Sequence, residues 1–351
     1  MEDTALKEKT STLAAVDIWQ AAKDILNTID REREREIIAR RFGLYDRKET
    51  LEQIGELLGI TRERVRQLEK SVVSKLKASA QKDLPHIEAV EKEFIDRLKE
   101  MGNVARIKDL SAKVTSENTP RDQAHVAFLS ELSPNISIVN ENDDFHHSVG
   151  IAEHHDEQNM KKLTSQIVDF IKNYGKPADI KTISEKIGTH SPAHTEGLAK
   201  TSKLLAELKG QWGLIKWPTV NPKNIRDKIY VVLQEKHEPM HFSDIAKKIR
   251  DSDFKRKDVT VQAIHNELIK DPRFVLIGRG IYALKEWGYK KGTVSDIITE
   301  VLKKEGGPLH RDEIVKRVLK FRQVKETTIL LNLQGKPQFK RVAKATYGLA
   351  E

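Results

Sequence analysis

The segment PMHFSDIAKKI from Pro239 returns as PLHRDEIVKRV from Pro308, and PRFVLIGRGIYAL from Pro272 returns as PQFKRVAKATYGL from Pro337. A chain that repeats itself over about 65 residues is expected to fold as a row of small similar units. The offset is 69 residues for the first pair of segments and 65 for the second. Four residues therefore differ in the loop around RDSDFKRKDV, where a change of length is tolerated. Each copy reads as a helix (Ile225 to Gln234; Val294 to Lys304), a Pro-led turn, and a second and a third helix. Two short strands follow, ending in Tyr-x-Leu at Tyr282 and Leu284 and at Tyr347 and Leu349. Three helices and a hairpin make a winged helix.

Weaker copies precede these two. Ile167, Ile171, Pro177, Ile183 and Ile187 match Ile229, Leu233, Pro239, Ile245 and Ile249 at a constant offset of 62, with LKGQWGLIKW as the hairpin. Phe94, Leu98, Leu110 and Val114 match Ile167, Ile171, Ile183 and Ile187 at an offset of 73, with ISIVNENDDFHHSVGI as a longer wing. The expected organisation is a disordered tail over 1–16, a helix-turn-helix module over 17–80, and winged helices over 86–155, 160–219, 222–288 and 292–351. The fold class is mostly α with short β-hairpins. Because each copy has its own apolar stripe and hairpin, the units are expected to behave as beads and not to share one core.

Ahead of the repeats, LEQIGELLGITRERVRQLEKSVVSKL (Leu51 to Leu76) reads as two short amphipathic helices joined by a glycine turn. Thr50 and Gln53 are spaced as a capping box, and Leu51, Ile54, Leu57 and Leu58 fall on one face. Gly59 supplies a left-handed turn residue, and Thr61 can cap the second helix. There Val65, Leu68, Val72 and Leu76 form the stripe expected to be buried. Arg62, Glu63, Arg66 and Gln67 are left outward near the helix N-terminus, the end that enters a major groove in helix-turn-helix proteins. Arginine pairs with both guanine acceptors, glutamate accepts from the cytosine amino group and glutamine pairs with adenine. A charged outward face also arises with no function at all, so this pattern alone leaves a merely solvated surface open.

With ILNTIDREREREIIARRFGL upstream, the stretch from about Ile25 to Lys77 closely resembles region 4 of housekeeping (sigma-70) bacterial sigma factors, with RFGL and TLEQIGELLGITRERVRQLE carrying the match. The resemblance implies that the second helix reads a minus-35-like promoter element, with Arg62, Glu63, Arg66 and Gln67 at base edges. It places Arg33, Arg41, Thr50, Arg64 and Lys75 at phosphates. It also implies docking on the beta flap of bacterial RNA polymerase through the neighbourhood of Ile37, Ile38 and Phe42, residues that core packing would equally explain. About 16 residues precede the module. That leaves no room for the region that opens promoter DNA in that family, so the chain is not expected to initiate transcription alone.

The last two repeats resemble the HARE-HTH family, the winged-helix fold of the RNA polymerase delta subunit, through P-[ML]-H-x-x-[DE]-I-x-K-[KR]-[IV] and the later P-x-F and Y-x-L. The chain stops after its final hairpin, so displacement of nucleic acid by a delta-like acidic tail is not expected. If these wings touch DNA, the residues to do so are Gln262, His265, Asn266, Lys270 and Arg279 in one copy. Lys325, Thr328, Lys340, Arg341 and Lys344 serve in the other. Contact with polymerase or another protein is an equal reading.

Charge is uneven along the chain. The net is −1 over 1–16, +2 over 17–80, −3 over 81–219 and +11 over 220–351. The basic end is the source of any long-range attraction to nucleic acid, and salt weakens such attraction. There is no cysteine, which removes disulfides and thiolate metal sites. No apolar run approaches a membrane span, and the first residues lack the pattern of a signal peptide. The expectation is a bacterial, cytoplasmic, nucleoid-associated protein. His146, His147, His154 and His155 lie beside Asp143, Asp144 and Asp156, but adjacent histidines seldom converge on one ion without a rigid scaffold. Trp212, Trp217 and Trp287 fall near hairpins, where aromatics complete small cores. No phosphate-cradling glycine loop, HExxH or nucleophile elbow occurs. No cofactor, metal, small-molecule substrate or catalysis is expected; the expected partners are double-stranded DNA and RNA polymerase. Two readings of function stay open: a DNA-reading transcription protein, and an interaction scaffold that does not read sequence.

Overall fold

Local capping and glycine stops set the first four helices. The computed structural model describes residues 17–188, 191–254, 256 and 258–350, so the expected disordered tail over 1–16 lies outside the described residues. Helix α1 (Ile18–Asn27) starts on Asp17, whose carboxylate accepts from the Trp19 and Gln20 N–H groups. α2 (Glu32–Phe42) ends on Gly43 in the left-handed conformation. α3 (Leu51–Leu58) and α4 (Arg62–Ala80) follow. Ile37, Ile54 and Val65 meet, fully buried, at the centre of α2, α3 and α4. Leu57, expected on the buried face, is instead 55% exposed. At 3.6 residues per turn it lies about 90° round α3 from the mean direction of Leu51, Ile54 and Leu58.

From α5 onward one order recurs four times: helix, strand, helix, helix, strand, strand. The first copy comprises α5 (Ile87–Glu100), β1 (Val104–Arg106), α6 (Ile107–Val114), α7 (Pro120–Leu132), β2 (Ile136–Val139) and β3 (Ser148–Ile151). The second comprises α8 (Glu157–Tyr174), β4 (Ala178–Asp179), α9 (Ile180–Ile187), α10 (Pro192–Thr201), β5 (Leu205–Leu208) and β6 (Gln211–Leu214). α8 opens before residue 160, the expected limit, because the Asp156 carboxylate caps it by accepting from Asn159 N–H. The third comprises α11 (Ile225–Lys236), β7 (Met240–His241), α12 (Phe242–Arg250), α13 (Val261–Lys270), β8 (Phe274–Gly278) and β9 (Ile281–Leu284). The fourth comprises α14 (Val294–Glu305), β10 (Leu309–His310), α15 (Arg311–Leu319), α16 (Glu326–Gly335), β11 (Phe339–Ala343) and β12 (Thr346–Leu349). The four-residue difference between the last two copies sits between their second and third helices, across 251–260 and 320–325.

Each copy closes into a three-stranded antiparallel sheet with its last strand in the middle. The outer strand before the second helix was not read from sequence, since two or three residues carry no alternation. It explains the Tyr-x-Leu signature: Tyr282 pairs with Met240 and Tyr347 with Leu309, directly after the two repeat prolines.

The described residues gather into two compact units that divide between Ile215 and Lys216. Inside the first, the expectation of independent beads fails. A single apolar cluster runs from Ile25, Ile38 and Leu76 of the helix-turn-helix module to Phe94, Leu110 and Phe128 of the first winged helix. The reason is α7, which buries Val126, Ala127, Phe128, Leu129 and Leu132. A helix apolar on most of its circumference must be covered on most sides, and α1, α2 and α4 supply the cover. The Trp19 indole N–H donates to Asp122 (2.7 Å), Arg121 donates to the Leu44 carbonyl (3.0 Å), and Phe42 meets Phe128 edge to face at 5.1 Å.

The second winged helix is joined to the first as closely. A Cβ on Gly197 of α10 would stand 2.5 Å from the Val104 carbonyl oxygen, so the backbones approach as only glycine permits. Beside it the His194 ring donates from Nδ1 to the Gly102 carbonyl at 2.7 Å. In the second unit the buried Arg322 donates to the Leu276 and Gly292 carbonyls, and Gln323 N–H donates to the Ile277 carbonyl at 2.9 Å. The loop before α16 is thereby fixed to the preceding copy's wing.

Candidate nucleic-acid interface

The turn between α3 and α4 is built as the spacing predicts. Thr50 Oγ1 accepts from Gln53 N–H at 3.2 Å, and Gln53 Oε1 accepts from Thr50 N–H at 2.9 Å. Gly59 sits at φ 64°, ψ 37°, and Thr61 Oγ1 accepts from Arg64 N–H at 3.2 Å. Gly55 is a second requirement that sequence reading missed. A Cβ there would lie 2.7 Å from the Ile60 carbonyl oxygen, so the two helices close up only over a glycine. Val65, Val72 and Leu76 are buried and Leu68 half-buried, which holds the opposite face of α4 outward.

Arg62, Glu63, Arg64, Arg66 and Gln67 are all exposed on the first turns of α4. Arg66 grips Glu63 through two nitrogens, Nη2 at 2.7 Å and Nε at 2.9 Å, and Gln67 Nε2 donates to the same carboxylate at 3.4 Å. The Arg66 hydrogen bonds hold the Glu63 carboxyl below its ordinary range, and Glu63 in turn raises Arg66. Both groups stay charged and, in open water, exchange partners at little cost. The fork that pairs with a carboxylate is the fork that pairs with guanine.

The five residues expected at phosphates differ in availability. Arg64 and Lys75 are exposed, and the Thr50 hydroxyl is engaged in its cap. Arg33 donates to the Leu58 carbonyl at 2.6 Å, stabilising the end of α3. Arg41 is half-buried, paired with Glu69 at 3.2 Å and donating to the Glu49 carbonyl at 3.4 Å.

Two of the three residues that the resemblance implied for the polymerase flap are not on the surface. Ile37 and Ile38 are fully buried, and Phe42 is half-buried against Phe128 of α7. This corrects the docking expectation at Ile37, which packs against Ile54 of α3 and Val65 of α4, and at Ile38, which joins the cluster shared with α7.

In the third winged helix Gln262, Asn266, Lys270 and Arg279 are exposed, with Gln262 Nε2 donating to Asn266 Oδ1 at 3.1 Å. His265 departs from the expectation: its ring is half-buried against Phe242 at 5.0 Å and Tyr282 at 6.3 Å, so it faces the core. Lys325, Thr328, Lys340, Arg341 and Lys344 are exposed in the fourth, the last three along its wing. Ile269 and Leu331 are also exposed on these third helices, at 61% and 67%. The four histidines weighed as a metal cluster are divided: His146 and His147 border the β2–β3 wing, whereas His155 stacks on His194 at 4.6 Å. No group of three or more metal-ligating side chains comes together among the described residues, and no helix among them is long and apolar enough to cross a membrane.

Fold and face together define a helix-turn-helix protein with tandem winged helices behind it. Residues 31–78 match the family model described as Sigma-70, region 4, so the likeness falls on the N-terminal helix-turn-helix module. Over 80 residues the chain is 38% identical to the RNA polymerase sigma factor RpoD of Helicobacter pylori, strains ATCC 700392 / 26695 and J99 / ATCC 700824. That stretch is 22% of this chain and 12% of those proteins. Over 56 residues it is 46% identical to the RNA polymerase sigma factor SigA of a Bacillus species, covering 16% of this chain and 15% of that one. The chain thus spans well under a fifth of the length of these relatives.

Proposed function

We propose that this chain is a DNA-binding transcription protein that reads a minus-35-like promoter element through α4 and contacts RNA polymerase during initiation or its regulation. The observation that carries the reading is that the region 4 match falls on a helix pair whose Arg62, Glu63, Arg66 and Gln67 stand clear of the core on one exposed face. Arg66 and Gln67 discriminate bases; Arg64 and Lys75 hold phosphates. The relatives' names supply the polymerase, and Ile37 and Ile38, being buried, take no part in that contact. We read the last two copies as HARE-HTH-like winged helices of the delta-subunit type. The chain is read as non-enzymatic throughout.

Arg66→Ala and Gln67→Ala should each relax sequence preference by about 1–3 kcal/mol, while Lys75→Ala weakens all sequences alike. Binding to randomised duplex libraries measures both, and a preference unchanged in both variants removes base reading from α4.

A second reading is favoured by Ile269 and Leu331. Apolar side chains exposed on the third helices suit a protein partner better than a groove, so the winged helices are a scaffold that docks protein. If 220–351 carries no DNA affinity and polymerase still co-purifies through it, the scaffold reading holds for that half.

A further inference from the structure

A groove of about 810 Å³ runs between α4 and the β2–β3 wing of the first winged helix. Arg66, Lys70 and Lys77 line one wall, at helical steps that put them on one face of α4. Asn140 and His147 line the other, 70 residues away in sequence, and Lys48 from the α2–α3 loop lies between. The groove continues into a second of about 600 Å³, which shares Lys48, Asn140 and His147 and adds Arg47, Arg106 and Lys108. A track of cations thus begins at the base-reading end of α4 and leads away from it along the wing.

The charges along this track are not all balanced. Arg41 is paired with Glu69, Lys77 with Glu131, Arg106 with Asp109, and Glu141 with Lys203. The three acids of the first groove, Glu69, Glu131 and Glu141, are thereby paired, whereas Lys48 and Lys70 form no ion pair among the described residues. Burial, and then the neighbouring Arg41 charge, hold the Lys48 ammonium below its ordinary value. An elongated groove with spare positive charge suits a polyanion, and the one polyanion continuous with α4 is the backbone of the duplex it reads.

We infer that this groove takes the phosphodiester backbone flanking the element read by α4, so that the first winged helix extends the DNA footprint of the sigma-type module. The inference rests on the proposed reading of α4 as a DNA helix. It gives the shared core a purpose, because α7 fixes the wing at one distance and angle from α4.

The test uses the full chain. Neutralising two phosphate contacts lowers the slope of log affinity against log salt by about 0.9 each. The double variant Lys48→Gln/Lys70→Gln should therefore lose nearly two units of slope, and Lys48→Arg should keep it. The chain has no cysteine, so Asn140→Cys offers a single attachment point for an iron chelate that cuts nearby DNA backbone. Cutting is expected on one side of the bound element only. An unchanged salt slope overturns the inference. So does a reduced slope without cutting, since the phosphates then lie on α4 and the α2–α3 loop and not along the wing, and so does an acidic polypeptide that competes at the groove while DNA does not. If Arg66→Ala and Gln67→Ala leave sequence preference unchanged while slope and cutting behave as expected, base reading fails and the groove stands. The converse pattern removes the groove and leaves base reading.

Discussion

Phe128→Ala is the perturbation that best tests whether the region 4 module and the first winged helix are one body. Phe128 is 0% exposed and meets Phe42 at 5.1 Å across the joint between α7 and α2. Truncating a fully buried phenylalanine costs about 3–5 kcal/mol in lost transfer energy and residual cavity. The lost edge-to-face pair, worth about 0.5–1.5 kcal/mol, falls within that range. At about 1.4 kcal/mol per decade, opening should become roughly a hundred-fold to a few thousand-fold more frequent. Amide hydrogen exchange of the full chain, in the regime where it reports opening free energy, reads this element by element. Because the cluster is shared, protection should fall by a similar factor in α1, α2 and α4 as in α5 and α7. A loss confined to α5–α7, with α1–α4 at their original protection, would refute the shared-core argument and restore the picture of beads.

Gly197→Ala should drive α10 from β1, since the new Cβ would stand 2.5 Å from one backbone oxygen and 3.0 Å from another; overpacking of this kind costs about 1–3 kcal/mol, and an unchanged thermal midpoint would show that the backbones yield freely. Arg322→Leu should cost about 2 kcal/mol or more, because the Leu276 and Gly292 carbonyls lose their buried donor; the loss should appear as faster exchange in β8. Acid should loosen the first unit. Burial pushes His125 and His147 below the ordinary histidine value of 6.5, so below that value the unfolded chain binds more protons than the folded one and stability falls as pH drops. Asp122 adds a second loss at lower pH. Burial alone would raise its carboxyl, but donors from Thr119 and Trp19 hold it below 3.8, and stability is lost as pH falls through that depressed value. Thermal midpoints between pH 7.5 and 5 should decline, and His125→Gln should flatten the decline; a rise would reverse the sign of the argument.

Much of the site was legible because it is local. A capping box spans four residues, a left-handed turn one, and the outward face of α4 follows from the 3.6-residue period. The repeat offsets likewise located each second helix, since Ile107, Ile180 and Phe242 open α6, α9 and α12 at the spacings read from sequence. What escaped was nonlocal. Gly55 looked like any small residue until Ile60 folded back over it. The run HVAFL in α7 did carry a signal, because five consecutive residues with so little polarity do not suit a half-exposed helix, but which elements would cover it was not written there. Lys48 and Lys70 stood out in no motif; only the wing opposite gives them a groove.

The sequence by itself determined the helices, the order of the winged helices and the outward face of α4, because caps, helical period and turn residues act between neighbours. Tertiary structure alone decided that Phe42 packs against α7, that His265 turns inward, and that two repeats are bonded to each other in each unit. Those outcomes depend on which faces find one another between elements that are not neighbours in the chain. Periodicity records that a face must be buried and says nothing of what will bury it.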